Sequence, residues 1–332
     1  MRKLFLATLL LVVILPTLAL KKASSYLEAR KSGALAKIQI HIVDDIGHNV
    51  PDAAVSVFMG MNFRPKGYYL KGMTDTNGIY VIEGKTCGDE IVIDVTKQGH
   101  YSSAKKLSFA EMGRERDVKD NKWQPFGQHE KIILRRIVNP VKLVAFDKLI
   151  DIVQTNVWLG FDMEKMDFIS PIGNGRKVDF EIRAEWDGLP AWKSKCCSAE
   201  IRFVGYGTGG YYVENVLEST FPYIYEAQSD SLYTESNIRI VDRNGDMHTT
   251  KIPFERKSSF VTRIRSIVDE NGKIKAANYG CIRQFEIGPS RRGVVLCRLS
   301  YIFNPTPNDR NLEWDMKNNL HPNPGDLGKL HP

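Results

Sequence analysis

Three places in the chain carry the spacing Asp-x-Asn-Gly: Asp75-Thr76-Asn77-Gly78, Asp242-Arg243-Asn244-Gly245 and Asp269-Glu270-Asn271-Gly272. Side-chain oxygens two residues apart, followed by glycine, resemble the opening of a calcium loop. Such a loop needs a glutamate at its twelfth position to complete the coordination. Counted from each Asp, that position is Thr86, Pro253 and Gly280. No carboxylate closes any of them, so no metal is expected. A turn needs only what is there: Asp caps the backbone through its side chain, and Asn-Gly accepts positive φ before a strand.

Gly205-Tyr206-Gly207-Thr208-Gly209-Gly210 has the G-x-G-x-x-G spacing of a dinucleotide loop. That chemistry needs a helix packed against the third glycine. Tyr211-Tyr212 occupy the place, and no alternation of strand and helix surrounds it, so no cofactor is expected and the segment reads as a ligand-contacting loop. Glu185 and Asp187 offer a carboxylate pair of the kind glycosidases use, but Glu185 falls at a solvent position of an alternating strand. The seven histidines are scattered singly, with neither a G-x-S-x-G elbow nor H-E-x-x-H. No catalytic residue is assigned, and the reading leans away from an enzyme. Binding has more to work with. Trp186, Trp192, Tyr206, Tyr211, Tyr212, Tyr223 and Tyr225 crowd one stretch, and aromatic faces stack on sugars and partner proteins. Tyr206, Tyr211, Tyr212 and Trp192 are the ligand-contact candidates.

The five cysteines are Cys87, Cys196, Cys197, Cys281 and Cys297. Cys281 and Cys297 flank a turn-like Gly-Pro-Ser-Arg-Arg-Gly and could face each other across a hairpin as a disulfide. Burial as small hydrophobes is the other reading. Whether disulfides form depends on compartment, and the N-terminus bears on that. Arg2-Lys3 precede an apolar run from Leu4 to Leu20, with Pro16 and Thr17-Leu18-Ala19 near its end. Residues 1–20 read as a signal peptide or as an uncleaved N-terminal anchor. Both place the rest of the chain in the periplasm, on the cell surface or outside. Membrane contact is expected only if the segment stays. A net charge of +7 is modest, and Arg135-Arg136 and Arg291-Arg292 are too small a basic surface for nucleic acid.

The elements that must position these residues are strands. Ile38, Ile40 and Ile42 alternate with Gln39 and His41; Ala53, Val55, Val57 and Met59 repeat the period, as do Ile91, Ile93 and Val95. A period of two is that of half-buried strands. Val178, Phe180, Ile182, Ala184 and Trp186 alternate with Asp179, Glu181, Arg183 and Glu185 in the second half. Segment 21–36 reads as a linker or short helix, Val141 to Val153 as a possible short helix, and 318–332 as a loose tail.

Val50-Pro51-Asp52-Ala53-Ala54-Val55, Thr74-Asp75-Thr76-Asn77-Gly78-Ile79-Tyr80 and His100-Tyr101 together resemble the carboxypeptidase-regulatory-like (transthyretin-like) domain, over residues 37–137. The resemblance implies a Greek-key β-sandwich that serves as a non-catalytic accessory module. Residues 138–317 resemble the C-terminal part of uncharacterised exported bacterial proteins. The expected fold class is therefore all-β: a Greek-key sandwich of the transthyretin/prealbumin type, then a second β-rich, sandwich-like domain. The expected function is an exported, non-enzymatic envelope protein that adheres or binds a ligand, with carbohydrate or envelope proteins as partners. A hydrolase or hydrolase accessory with a site invisible in sequence, and a structural envelope spacer, are the alternatives.

Overall fold

The structure, a computed structural model, describes residues 26–61, 66–109, 117–189, 196–228, 232–243, 257–289 and 294–321. Among these residues the fold is all-β apart from one short α-helix, residues 26–32, and the chain divides into two compact units. The first runs to Ile137 and also takes Glu218–Thr220; the second is built from Val138–Leu217 and the chain from Phe221 on.

In the first unit, β1 (Ala34–Val43) sits between β4 (Ile79–Thr86), antiparallel, and β9 (Gln128–Ile133), parallel, and the short hairpin of β7 (Val118–Lys119) and β8 (Lys122–Trp123) pairs with its start. β2 (Ala54–Met61), β3 (Lys66–Met73), β5 (Glu90–Thr96) and β6 (Ser103–Ser108) make the second sheet in the order β3-β2-β5-β6. The chain forms the β2–β3 hairpin, crosses to β4, then crosses back to β5, a Greek-key sandwich. Ala34, Ala36, Ile38, Ile40 and Ile42 are fully buried and face Val55, Val57, Ile91, Ile93 and Val95 across the core. β1 starts four residues earlier than the isoleucine alternation suggests, because two alanines continue its dry face. The helix takes part of the expected linker and buries Ala29.

The Asp75 quartet makes the crossing from β3 to β4 rather than a hairpin. Asp75 Oδ1 accepts from the backbone N–H of Asn77 at 2.9 Å and of Ile79 at 2.8 Å. Gly78 has φ +73°, and a Cβ there would lie 2.5 Å from the Ile42 carbonyl oxygen, so only glycine fits. Three residues of the expected second domain return to the first unit: Ala104 N–H donates to Glu218 O at 2.7 Å, and Thr220 N–H to Ser102 O at 2.9 Å. They occupy the free edge of β6, which would otherwise offer unpaired backbone groups.

The second unit packs two sheets over a core of its own. One has the order β15-β17-β18-β19-β10-β20. Its strands are β10 (Val141–Ile152), β15 (Gly209–Glu214), β17 (Ser258–Val268), β18 (Ile274–Pro289), β19 (Val295–Asn304) and β20 (Trp314–Asn319). The other has the order β12-β11-β13-β14-β16, from β11 (Leu159–Asp162), β12 (Asp167–Phe168), β13 (Phe180–Trp186), β14 (Cys196–Phe203) and β16 (Asn237–Arg243). Phe161, Phe180, Phe203, Phe260 and Tyr301 stack at one end of the core. The segment read as a possible helix is β10. Its apolar run is short enough to suit either period, and nine consecutive pairings with β19 decide for the strand.

The Asp269 quartet closes the β17–β18 hairpin with the same bonds as Asp75: Asn271 N–H at 3.0 Å and Lys273 N–H at 2.9 Å to Asp269 Oδ1. Gly272 has φ +76°. Asp242 lies at the end of β16, while Asn244 and Gly245 lie outside the described residues.

Candidate functional site

The ligand-contact tyrosines do not converge. Gly209 to Glu214 is β15, a strand, where a dinucleotide loop would lead into a helix. Tyr211 is 8% exposed; its hydroxyl accepts from Gln228 N–H at 2.7 Å, and its ring meets Tyr233 edge-on at 5.1 Å. The Arg263 guanidinium lies 4.3 Å from the Tyr233 ring centre. This tyrosine layer is interior packing, and burial raises the Tyr211 phenol above its ordinary range. Tyr212 packs edge-on to Phe260 at 4.9 Å, and burial, then the charge of Glu235, pushes it up to about 12. Tyr206 alone is well exposed, at 71%, beside the Asp269 turn. Trp192 lies outside the described residues. Neighbouring positions on a strand point to opposite faces, which separates Tyr211 from Tyr212.

The expected cysteine pair is also separated. Cys297 stands opposite Ile287 on β18, whereas Cys281 stands opposite Ile302 on β19. Cys297 faces the core with Leu299 and Tyr301 of its own strand, while Cys281, beyond a register shift between Ile282 and Gln284, faces the other side of the sheet, and Ile287 and Cys281 lie about 20 Å apart along β18. Both are buried thiols, and no disulfide between them is possible in this register. Burial pushes Cys281 up to about 12, against a hydrogen bond from Ser259.

The two carboxylates considered for hydrolysis have separate structural partners. Glu185 lies in a charge ladder with Arg183 at 3.2 Å and Ser198 Oγ at 3.3 Å. Asp187 accepts from Leu189 N–H at 3.0 Å. The most polar interior is elsewhere, around Arg265 in the second unit. Arg265 has φ +53° at a register shift in β17 and reaches three carboxylates on the other sheet's side. Its Nε and Nη2 donate to Asp179 at 2.7 and 2.9 Å, Nη1 to Glu164 at 2.7 Å, and Nη2 to Asp162 at 3.1 Å. Burial raises Asp179 above the usual carboxylate range despite its bonds and charge pairing with Arg265. Burial also acts to raise Asp162, but backbone N–H groups of Arg176, Lys165 and Lys177, with the Arg265 charge, hold it below that range. The cluster is saturated by its own members and works as a clamp. Among the described residues, no group of three His, Cys, Asp or Glu side chains is placed to hold a metal ion.

The open surface with binding chemistry is the outer face of β3-β2-β5-β6. Register sorts it into three rows: Met73–Ala54–Thr96, then Lys71–Ser56–Asp94–Ala104, then Tyr69–Phe58–Val92–Lys106. Small side chains on β2 leave a trough of 450 Å³ between Met73 and Lys71 on one side and Thr96 and Asp94 on the other. It continues through Ala54 and Thr96 into a 440 Å³ depression beside Asp52, Lys97 and Gln98. Among the described residues, the Asp94 carboxylate and the Ser56 and Thr96 hydroxyls hold no side-chain hydrogen bond, so they are free to meet a ligand.

The third row, next to the trough on the same face, carries aromatics. Tyr69 is 57% exposed, and its ring centre lies 5.2 Å from that of Phe58. Phe58 lies over Gly67, where a Cβ would stand 2.6 Å from its Cζ, so the glycine lets the ring lie down on the sheet. Lys71 Nζ is 5.9 Å from the Tyr69 ring centre. An apolar ring face beside a row of hydroxyl, carboxylate and ammonium groups, spaced by the ~4.8 Å between strands, suits a flat ligand with one apolar face and polar edges. The signal for this site was in the sequence: Val55, Val57 and Met59 define the dry parity of β2, and Phe58 falls on the wet one.

No family model matches the chain, and no curated protein does. Solved structures with local likeness include 3-chlorocatechol 1,2-dioxygenase from Rhodococcus opacus 1CP, at 12% identity over 32% of this chain and 62% of that chain, with a TM-score of 0.24. Catechol 1,2-dioxygenase from Acinetobacter radioresistens gives 12% identity, 32% and 53% coverage and a TM-score of 0.25. The match thus spans about half to three fifths of those chains. A likeness of this size says nothing of chemistry here.

Proposed function

We propose that this chain is an exported, non-enzymatic binding protein that holds a carbohydrate on the outer face of its first sandwich. The observation that carries the reading is the pair of exposed Tyr69 and half-buried Phe58 beside an open trough whose Asp94, Ser56 and Thr96 are free to bond. A sugar ring stacks its C–H face on an aromatic and spends its hydroxyls on such groups. The resemblance of residues 37–137 to the carboxypeptidase-regulatory-like family, and the apolar run with its basic start, support an accessory module working outside the cytoplasm. No helix among the described residues is long and apolar enough to cross a membrane, and residues 1–25 lie outside them.

A glycan array probed with the folded chain, followed by calorimetry on the best ligand, tests the reading. Tyr69→Ala is expected to weaken binding by about tenfold, equal to about 1.4 kcal/mol, with Asp94→Asn weakening it as well. An intact fold that binds no glycan, or binding that both variants leave unchanged, overturns it.

A further inference from the structure

Two of the buried thiols share one core. Cys197 lies on β14 and Cys297 on β19, in opposite sheets of the second unit, and both belong to its hydrophobic interior at 1% and 0% exposure. Cys87 belongs to the other unit, and Cys281 faces away from this core. The register locates the pair along the sandwich. The β13–β14 ladder runs inward as Phe180–Phe203, Ile182–Ile201, Ala184–Ala199 and Trp186–Cys197. The inward residues of β19 run Phe303, Tyr301, Leu299, Cys297 and Val295. Along β14 and β19 the inward side chains shrink from rings toward cysteine, while β13 passes through Ala184 and ends on the partly buried Trp186.

The β14 and β19 series shrink in the same direction. Phe203 stacks on Phe260 at 5.4 Å, Phe260 pairs with Ile282, and Ile282 pairs with Tyr301. Phe161, the neighbour of Phe180, meets Tyr301 at 6.3 Å. The aromatic ends of the two sheets therefore coincide, and each cysteine lies on the far side of that end. Cys197's cross-strand neighbour Trp186, and Cys297's neighbours Ile150 and Ile287, are all partly buried residues at the rim of this core. Sheets held apart by phenylalanine stand about 10 Å apart, and a disulfide needs Cα atoms within about 7 Å. The Ala184–Ala199 row beside the pair gives the sheets room to close at this end. The electrostatics agree: burial raises the Cys297 thiol, and Cys197 is the next contributor, as a near neighbour is.

We propose that Cys197 and Cys297 are the sites of an inter-sheet disulfide that locks the second sandwich when the chain folds in an oxidising compartment. The oxidant is a disulfide of the glutathione or thiol-oxidase class. One thiolate attacks a sulfur of that disulfide and releases the first reduced thiol. The second protein thiolate then attacks the mixed disulfide and releases the other. Two protein S–H groups become one S–S bond, and the two electrons and two protons leave on the reduced partner. Both thiols are sealed in the finished core, so the exchange belongs to folding, before the sheets close.

The test does not depend on the proposed site or on export. The chain, unfolded and reduced, is refolded in a glutathione redox buffer, or without oxidant as a control. Free thiols are then alkylated in denaturant without reduction, and the digest is analysed by mass spectrometry. The expected result is a peptide pair linked through Cys197 and Cys297, a mass about 2 Da below the fully reduced chain, and a higher urea midpoint for the second unit. Cys197→Ala, Cys297→Ala and the double variant should each abolish the rise in midpoint that oxidative refolding gives the unaltered chain, whatever the substitution costs the reduced form. Full alkylation of both residues after oxidative refolding, or a link that runs through Cys196 or Cys281 instead, overturns the proposal.

Discussion

Arg265→Ala should be the most damaging single change in the second unit. The side chains of Asp179 and Asp162 are 0% and 2% exposed, and Arg265 supplies both with their counter-charge. Removing one partner of a buried ion pair leaves a charge in the interior, at a cost of about 3–5 kcal/mol. At about 2–4 °C per kcal/mol for a unit of this size, the midpoint should fall by about 6–20 °C. The pH dependence carries a second signature. Burial already raises Asp179 in the folded state, and without Arg265 it rises further. The folded variant then binds more protons than the unfolded chain. Its stability must grow as pH falls through the folded pKa toward the ordinary carboxylate value. Asp162 works in the opposite sense, since its lowered pKa gives stability that is lost on acidification. It still keeps bonds from the N–H groups of Arg176, Lys165 and Lys177 after the change. Urea unfolding followed by the fluorescence of Trp158 and Trp186 at pH 7 and pH 5 measures both effects. A deficit under about 1 kcal/mol at pH 7, or a deficit that does not shrink at pH 5, would refute the clamp.

Two further outcomes follow from particular contacts. Gly78→Ala should destabilise the first unit by about 1–3 kcal/mol, because the new methyl meets the Ile42 carbonyl; thermal unfolding by circular dichroism reads it. Alkaline titration at 295 nm should show Tyr212 ionising only near pH 12, held back by burial and by Glu235. Since the unfolded phenol ionises near pH 10, the folded state loses stability as pH rises between those values. A Tyr212→Phe variant should lose less over that interval.

What was legible in the sequence was local. Alternation at Ile38, Ile40 and Ile42, and at Phe180 through Trp186, gave strands, because one wet face and one dry face leave that trace directly. The quartets gave turns for the same reason, as Asp75 and Asp269 bond only to their own next residues. What failed depended on partners far along the chain. Val141 to Ile152 is a strand because β19 runs beside it, and its own apolar run fits either period. The pairing of Cys281 with Cys297 failed on where the hairpin turns: Cys297 stands opposite Ile287, well along β18 from Cys281, and the register shift after Ile282 also turns Cys281 away from the core. Of the tyrosines beside the glycines, Tyr206 and Tyr212 are exposed and Tyr211 is buried, because β15 turns neighbouring side chains to opposite faces and Tyr211 packs on Tyr233.

The parallel neighbours β1 and β9 have a mechanical consequence. β1 opens the first sandwich and β9 closes it, so tension applied at the two ends of this unit runs along adjacent strands in opposite directions. The strands are then loaded in shear, and the six register pairs from Ile38–Gln128 to Val43–Ile133 share the load instead of parting one by one. A module anchored at one end and pulled at the other would yield late and abruptly, holding the outer face of β3-β2-β5-β6 in shape until it did.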